Sequence, residues 1–209
     1  MASKSNRILN IFKSRKNILD ILFDQEYNIS EYETFTINEI DAMYSNTQLD
    51  MLINHNSNSR KIYIKYYLTA KQIRPQNLED IIEDLFTIEN VLTKDDTLVI
   101  IIEDEPNATI LTKLKYLYDH DGIFVVIHNI RRLQYNLLKH RLVPECNLLD
   151  EKEKQELMQK YNINKPMDLP EISRFDPQAL VMCLRPGDIC RFERNSATAM
   201  TYNYYRICV

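Results

Sequence analysis

Two glycines, Gly122 and Gly187, are all that the 209 residues contain. Glycine supplies positive φ and lets a backbone approach a ligand closely, so folds that rely on glycine-rich loops are closed to this chain. The Walker A, dinucleotide and protein-kinase phosphate cradles all need clustered glycines. That one count excludes most nucleotide-dependent enzymes. The Gly-x-Ser-x-Gly nucleophile elbow is excluded with them. His55, His120, His128 and His140 lie in four separate segments and read as surface or hydrogen-bonded groups. Spacing alone leaves a histidine-assisted hydrolase open.

Hydrophobic residues make up 44% and charged residues 27%, the balance of a globular chain that can bury one large core or two small ones. Twenty-six basic residues face 30 acidic ones. A stand-alone nucleic-acid binder carries a basic surplus, and this chain does not. The basic start (Lys4, Arg7, Lys13, Arg15, Lys16) lacks the apolar centre of a secretory signal, and its helix runs on into acidic Asp20–Glu26, against a mitochondrial presequence. The longest apolar run, Leu98–Ile102, is far short of the ~20 residues that span a bilayer, so no membrane partner is expected. Cys146, Cys183, Cys190 and Cys208 form no Cys-x-x-Cys pair and read as reduced thiols packed like small apolar residues rather than as metal ligands.

Ile8, Ile11, Phe12, Ile18, Leu19, Leu22 and Phe23 recur at helical spacing, which predicts a helix over Asn6–Asp24 with Arg15 and Lys16 interrupting or bordering its stripe. A second helix is predicted over Thr36–Leu52, followed by a polar loop from His55 to Ser59. Lys61–Leu68 alternates as a strand. Gln76–Leu92 follows as a helix with an acidic face, Leu98–Ile102 as a buried strand, Pro106–Tyr118 as a helix and Ile123–Ile127 as a strand. Strands joined by crossover helices imply an α/β unit with at least one parallel pair. Arg131–His140 fits either periodicity. Five of the seven prolines lie between Pro144 and Pro186, and residues 1–139 carry 16 basic and 20 acidic side chains against ten of each in 140–209. Both shifts place a domain boundary near residues 136–142. Beyond it, Asp150–Tyr161 reads as a helix with Asp150 as N-cap and Glu153 as capping-box partner, and Asp188–Arg194 and Tyr202–Val209 as β-rich runs.

An α/β unit invites a test for nuclease chemistry, which needs converging carboxylates for a divalent metal and a nearby lysine. Asp95, Asp96, Glu103, Asp104 and Glu105 flank the Leu98 strand, yet no strand carries an acid two residues before a lysine. A solvated strand end is the expected reading. Tyr63, Tyr66 and Tyr67, and Tyr202, Tyr204 and Tyr205, could stack bases, but only Lys61, Lys65 and Arg206 accompany them. Packing in a core or against a partner is expected instead.

The last seventy residues carry an ordered series: His140-Arg-Leu-Val-Pro144, the helix Asp150–Leu157, Tyr161-Asn-Ile163, Leu169-Pro170-Glu-Ile172 and Asp176-Pro177-Gln-Ala179. Arg185-Pro-Gly-Asp188, Glu193-Arg194-Asn-Ser196 with Thr198, and Tyr205-Arg206-Ile-Cys-Val209 complete it. This series closely resembles the assembly domain of the fifth subunit shared by eukaryotic nuclear RNA polymerases and of its archaeal counterpart. Arg15–Leu19 with Tyr27-Asn-Ile29, and Gly122-Ile-Phe-Val125, resemble the eukaryotic jaw domain more thinly. An archaeal subunit would lack the jaw, so the length implies a eukaryotic or viral source. The family's usual Ser-Glu-Thr-x-Gly-x-Tyr is here Ser196-Ala-Thr198-Ala-Met200-Thr-Tyr202, Glu145 replaces a usual lysine, and Pro186 a basic or apolar residue. Arg-Pro-Gly-Asp and Ala-Met resemble versions from large nucleocytoplasmic DNA viruses.

The resemblance implies an α+β chain overall. Residues 1–137 would form an α/β jaw domain with a restriction-endonuclease-like sheet lacking an active site, and 138–209 a small α+β assembly domain. It implies a non-catalytic subunit of DNA-directed RNA polymerase, without cofactor, metal or catalytic residues of its own, scaffolding the largest subunit beside the other subunits. Interface candidates are His140, Leu142, Pro144, Pro170, Asp176, Pro177, Gly187, Asp188, Arg194, Ser196, Thr198, Tyr205 and Arg206. Leu184–Asp188 is expected to turn the chain into a hairpin at Gly187, with the C-terminal strands packed on Leu169–Ile172. The jaw would lie where downstream double-stranded DNA enters the cleft, with Lys13, Arg15 and Lys16 nearest it and making weak phosphate contacts. The location would be the nucleus for a cellular chain, and the host cytoplasm and virion for a viral one. A divergent metal-dependent nuclease and a stand-alone transcription adaptor are the alternatives.

Overall fold

The apolar helical stripe of the first residues folds as α1 (Ala2–Asp24), burying Ile8, Ile11, Ile18, Leu19, Ile21 and Leu22 along one face. This computed structural model describes residues 2–209, with side chains from Ser5 onward. The chain divides into two units, one reaching Asn136 and the other spanning Leu137–Val209.

In the first unit, α2 (Ile37–Ser45) opens on a capping box: Glu39 N donates to Thr36 Oγ1 at 3.4 Å and Thr36 N to Glu39 Oε2 at 2.7 Å. The helix expected to run to Leu52 stops at Ser45. Thr47 takes φ 56°, and Leu49, Met51 and Ile53 then alternate inward, at 4%, 1% and 1% exposure, through the strand β1 (Met51–Asn54). A period of two over five residues outweighs a weak helical pattern once a left-handed residue has broken the helix.

β2 (Lys61–Tyr66), α3 (Pro75–Glu83), β3 (Thr97–Ile102), α4 (Ala108–Tyr116) and β4 (Phe124–Asn129) follow, and each helix is prolonged by one π-helical turn, Asp84–Ile88 and Leu117–Asp121. The sheet runs β1-β2-β3-β4; β1 is antiparallel to β2, and β2, β3 and β4 are mutually parallel with α3 and α4 as crossovers. Every residue of β3 and β4 is buried, so both sheet faces are covered. α3 and α4 touch each other, which puts them on one face, and α1, whose Ser14 hydroxyl lies 3.4 Å from Tyr66 Oη, covers β2 from the other. Gly122 closes the second π turn in the left-handed region at φ 72°. The ambiguous segment after β4 forms two short 3-10 turns, Arg132–Gln134 and Leu137–Lys139.

Of the carboxylates around β3, Asp96 departs from the solvated strand end expected, while Asp95 and Glu105 are exposed as expected. Asp96 is 2% exposed; it accepts from Lys61 N at 2.6 Å and from Thr93 N and Oγ1 at 2.7 and 2.8 Å, tying the start of β2 to the loop before β3. At the other end Glu103 pairs with Arg7, Asp104 with Arg131 at 3.9 Å and Glu105 with Arg132 at 2.9 Å. Among the described residues no three His, Cys, Asp or Glu side chains are grouped to hold a metal ion.

The second unit holds β5 (Glu145–Leu148), α5 (Glu151–Lys160), β6 (Glu171–Ile172), α6 (Pro177–Val181), β7 (Ile189–Ser196) and β8 (Met200–Cys208). Its sheet runs β5-β7-β8-β6, antiparallel except for the β6–β8 pair. β5 was not expected from the sequence. α5 has the expected cap: Glu153 N donates to Asp150 Oδ1 at 2.7 Å and Asp150 N to Glu153 Oε2 at 3.1 Å. The unit is α+β, as is the chain as a whole.

Candidate subunit interface

Strand alternation gives the β7–β8 ribbon two different faces. At its base one face carries Cys190, Phe192 and Cys208 into a cluster with Cys146, Ile172, Ala179 and Leu184. The opposite face carries Ile189 and Ile207 against Leu149, Leu157 and Leu169. Both clusters stop at the base. From Glu193 to Asn203 no residue is buried, although the register continues through Arg194↔Tyr202 to Ser196↔Met200. The outer half of the ribbon is therefore an arm that nothing in its own unit covers.

The arm is stiffened from within. The Arg194 guanidinium lies 4.6 Å from the Tyr204 ring centroid and that of Arg206 lies 5.2 Å away, so one ring carries two cations. At the tip the Ser196 hydroxyl accepts from Thr198 N at 3.3 Å and Ala199 N at 3.4 Å. Met200 closes the turn in the left-handed region at φ 57° and is 85% exposed. Alongside the arm, Arg141–Glu145 and Glu193–Asn195 wall a groove of about 540 Å³. Of its lining residues, Pro144 is held by Gln178 Nε2, which donates to Pro144 O at 2.8 Å, and Leu142 stands 77% exposed.

The interface candidates separate into two sets on this geometry. Leu142, Pro144 and Arg194 meet in the groove, His140 precedes it with Nδ1 accepting from Leu142 N at 3.3 Å, and Ser196 and Thr198 form the arm's tip. The others have work inside the unit. Asp176 caps α6 by accepting from Gln178 N at 2.9 Å, and Pro177 is its first residue. Pro170 O accepts from Ile207 N at 2.9 Å, Asp188 Oδ2 accepts from Arg185 N at 2.8 Å, and Tyr205 packs on the second cluster. Arg206 donates to Glu171 O at 3.3 Å. Gly187 holds φ 93° in the turn Arg185–Asp188, which leads from α6 into β7; the hairpin expected there lies instead at Ser196–Met200. Arg141, Glu193, Asn195, Met200 and Tyr202 belong to the exposed set and are not among the interface candidates read from the sequence. A methionine where the resembled pattern has glycine was the available signal for Met200.

The cysteines behave as packing groups. Burial pushes the Cys183 and Cys208 thiols up to about 12, while the hydrogen bond between Cys146 and Cys190 raises the Cys190 thiol further and lowers that of Cys146.

Of the three DNA candidates, Lys13 and Lys16 are exposed on α1. Arg15 is not available to DNA: it is 2% exposed, Nη1 donates to Leu49 O at 2.8 Å, and the guanidinium lies against the rings of Tyr32 and Phe35. Ile11, Arg15, Ile18 and Leu22 fall on one helical stripe, which turns this arginine inward.

A small sheet-and-helix unit with an uncovered ribbon, and beside it a groove lined by charged and apolar residues together, defines the class: a small domain that exposes a ribbon and an adjoining groove. Comparison with known proteins gives the class a family. Residues 135–208 match the family profile described as RNA polymerase Rpb5, C-terminal domain. The DNA-directed RNA polymerase subunit Rpo5 of Pyrococcus abyssi is 45% identical over 76 residues, 36% of this chain and 92% of the relative. The DNA-directed RNA polymerases I, II, and III subunit rpabc1 of Dictyostelium discoideum is 30% identical over 209 residues, 98% of each chain, and its counterpart in Caenorhabditis briggsae is 23% identical over the whole of both. The chain belongs to this Rpb5 family of DNA-directed RNA polymerase subunits. The viral resemblance has no counterpart among these relatives.

Proposed function

We propose that the chain is a non-catalytic subunit of a multisubunit DNA-directed RNA polymerase and that Leu137–Val209 is its assembly domain, bound to the largest subunit. The uncovered arm with its adjoining groove carries this reading. The archaeal relative supports it: its match to this chain fills 92% of its own length with a segment of the size of the second unit. A polypeptide of that size alone bears the polymerase-subunit name. The non-catalytic part of the reading is supported by Asp96, Glu103 and Glu105 around β3, which are held by a backbone amide or by arginines rather than converging on a common point. Residues up to Asn136 would be the jaw, with Lys13 and Lys16 as its remaining candidates for weak phosphate contact with downstream double-stranded DNA. The location would be the nucleus.

Tagged full-length chain, purified from its native cell, should bring down the two large polymerase subunits. Leu142→Asp with Met200→Asp changes two exposed side chains, so folding should be unaffected. If these are central contacts, recovery should fall at least about tenfold. Absence of large subunits from the wild-type pull-down refutes the subunit reading, and full recovery with the double variant refutes the groove and arm as the contact.

A further inference from the structure

Away from the arm, the first unit has a cavity of about 210 Å³ between α1 and the segment from Ile29 to Ile40. Its wall is apolar, with Phe12, Leu19 and Phe35 among the lining residues, and Arg15 reaches it from α1. The guanidinium belongs to a side chain that is 2% exposed. Only Nη1 has a protein acceptor, Leu49 O, and Nε is buried without a hydrogen-bond partner. Tyr32 and Phe35 flank it with centroids at 5.6 and 5.3 Å. Among the described residues no carboxylate forms an ion pair with it. The acid whose field reaches it, Asp50, is engaged by Tyr66 N at 3.0 Å and Lys65 Nζ at 3.2 Å.

Burial lowers the Arg15 pKa, but a guanidinium stays charged at any physiological pH. A buried cation with no counter-ion is unfavourable, and two aromatic faces offset part of that penalty and not the whole. The guanidinium is therefore short of one anionic partner, although Asp20 and Glu33 bring carboxylates to the same lining. The cavity's size limits which kind. About 210 Å³ lies below the ~300–1,000 Å³ of small-molecule sites and suits a single side chain. Its charge limits the source. Lys16, Glu33 and Asp20 also line it, so the lining carries no net positive charge to hold a nucleic-acid backbone with a phosphate every few ångströms, and a single carboxylate on Arg15 is the smaller demand.

We propose that this cavity is a socket for one glutamate or aspartate of a partner polypeptide, with the carboxylate on Arg15 and a neighbouring apolar side chain against Phe12 and Phe35. The socket lies in the first unit and is independent of the arm, so its failure leaves the subunit reading intact.

The test is an amide-resonance titration of the full chain with acetyl-Leu-Glu-Leu-amide, acetyl-Leu-Gln-Leu-amide and inorganic phosphate. The glutamate peptide should shift residues 12–20 and 29–40 saturably, with the glutamine peptide at least about tenfold weaker, since it loses a charge-assisted pair. Arg15→Met keeps an apolar stem in place and should abolish the difference. Should Arg15→Met fail to fold, Lys16→Glu, an exposed change, should weaken the glutamate peptide at least about threefold. Equal binding of the two peptides, no saturable shift, or phosphate binding as tightly as the glutamate peptide overturns the proposal.

Discussion

Replacing Gly187 by alanine isolates backbone strain from every other effect. The residue holds φ 93°, and its N–H donates to Cys208 O at 2.9 Å. Asp188 N closes the turn on Arg185 O at 3.0 Å, and Cys208 N donates to Asp188 O at 2.8 Å, so the turn is stitched to the end of β8. A Cβ built on Gly187 meets nothing within 4 Å. Alanine there clashes with no neighbour, and its whole penalty is its own backbone conformation. The left-handed region costs an L-residue about 1–2 kcal/mol, and 93° lies outside the narrow well at about 50–70°, which selects the upper end. The unfolded chain offsets about 0.4–1 kcal/mol of this because alanine has less freedom to lose. The net expectation is a loss of about 1 kcal/mol, or about 4–8 °C in Tm for a unit of this size.

The matching control is D-alanine at the same position, introduced by joining a synthetic C-terminal peptide at the native Cys183. Its preferred φ is positive, so it should stabilise by about 0.4–1 kcal/mol through the unfolded state alone. Urea unfolding followed by far-ultraviolet dichroism gives the sign. Hydrogen exchange at the Gly187 and Cys208 amides assigns the change to the second unit. If L- and D-alanine destabilise equally, strain is not the reason for glycine here.

Met200→Gly should do the opposite, raising thermal stability by about 0.5–1 kcal/mol because a left-handed L-residue is relieved at a solvent-exposed tip; a lower Tm would show that the methionine packs on its own arm. In the polymerase pull-down the same variant should be recovered less well, since the side chain offered to a partner is gone. Alkaline pH tests the interior of the first unit. Burial holds Tyr66 up to about 12 and raises Tyr63 as well, so both phenols ionise later in the folded chain than in the unfolded one. Stability from these groups is whole below pH ~10 and falls as pH rises from there towards 12. Tyr66→Phe should flatten that fall, and an unchanged pH profile would refute the assignment.

What could be read from the sequence was governed by short-range rules. The α5 cap needs only Asp150 and Glu153 three residues apart, and it formed as read. β3 needs only an unbroken branched apolar run. β1 was hidden because its short alternation follows directly on a helical pattern, and pairing with β2 decides the outcome. The inward turn of Arg15 was legible in principle: it lies four residues after Ile11 and three before Ile18, the same stripe that predicted α1. Composition drew it instead toward Lys13 and Lys16, which are adjacent in sequence and face outward. Asp96 shows the limit from the other side. Nothing local reveals that a carboxylate will be buried under Lys61 N, thirty-five residues earlier in the chain.

The scarcity of glycine makes the exceptions informative. Both glycines occupy positive φ, and among the described residues six others, Glu26, Thr47, Asn90, Asn162, Cys183 and Met200, must enter the left-handed region without that freedom. Two of these are asparagine, which tolerates the region best. Met200 does not, and at 85% exposure it gains no burial within the chain to offset the strain. Arg15 breaks a different rule, a cation on an apolar stripe with an orphaned Nε and no counter-ion. A local rule broken without full compensation in the same chain points to a requirement outside it. Both violations fall where a partner is proposed to bind: Met200 at the tip of the uncovered arm, where a flexible thioether adapts to an opposing surface, and Arg15 in a socket where its guanidinium lacks one anionic partner.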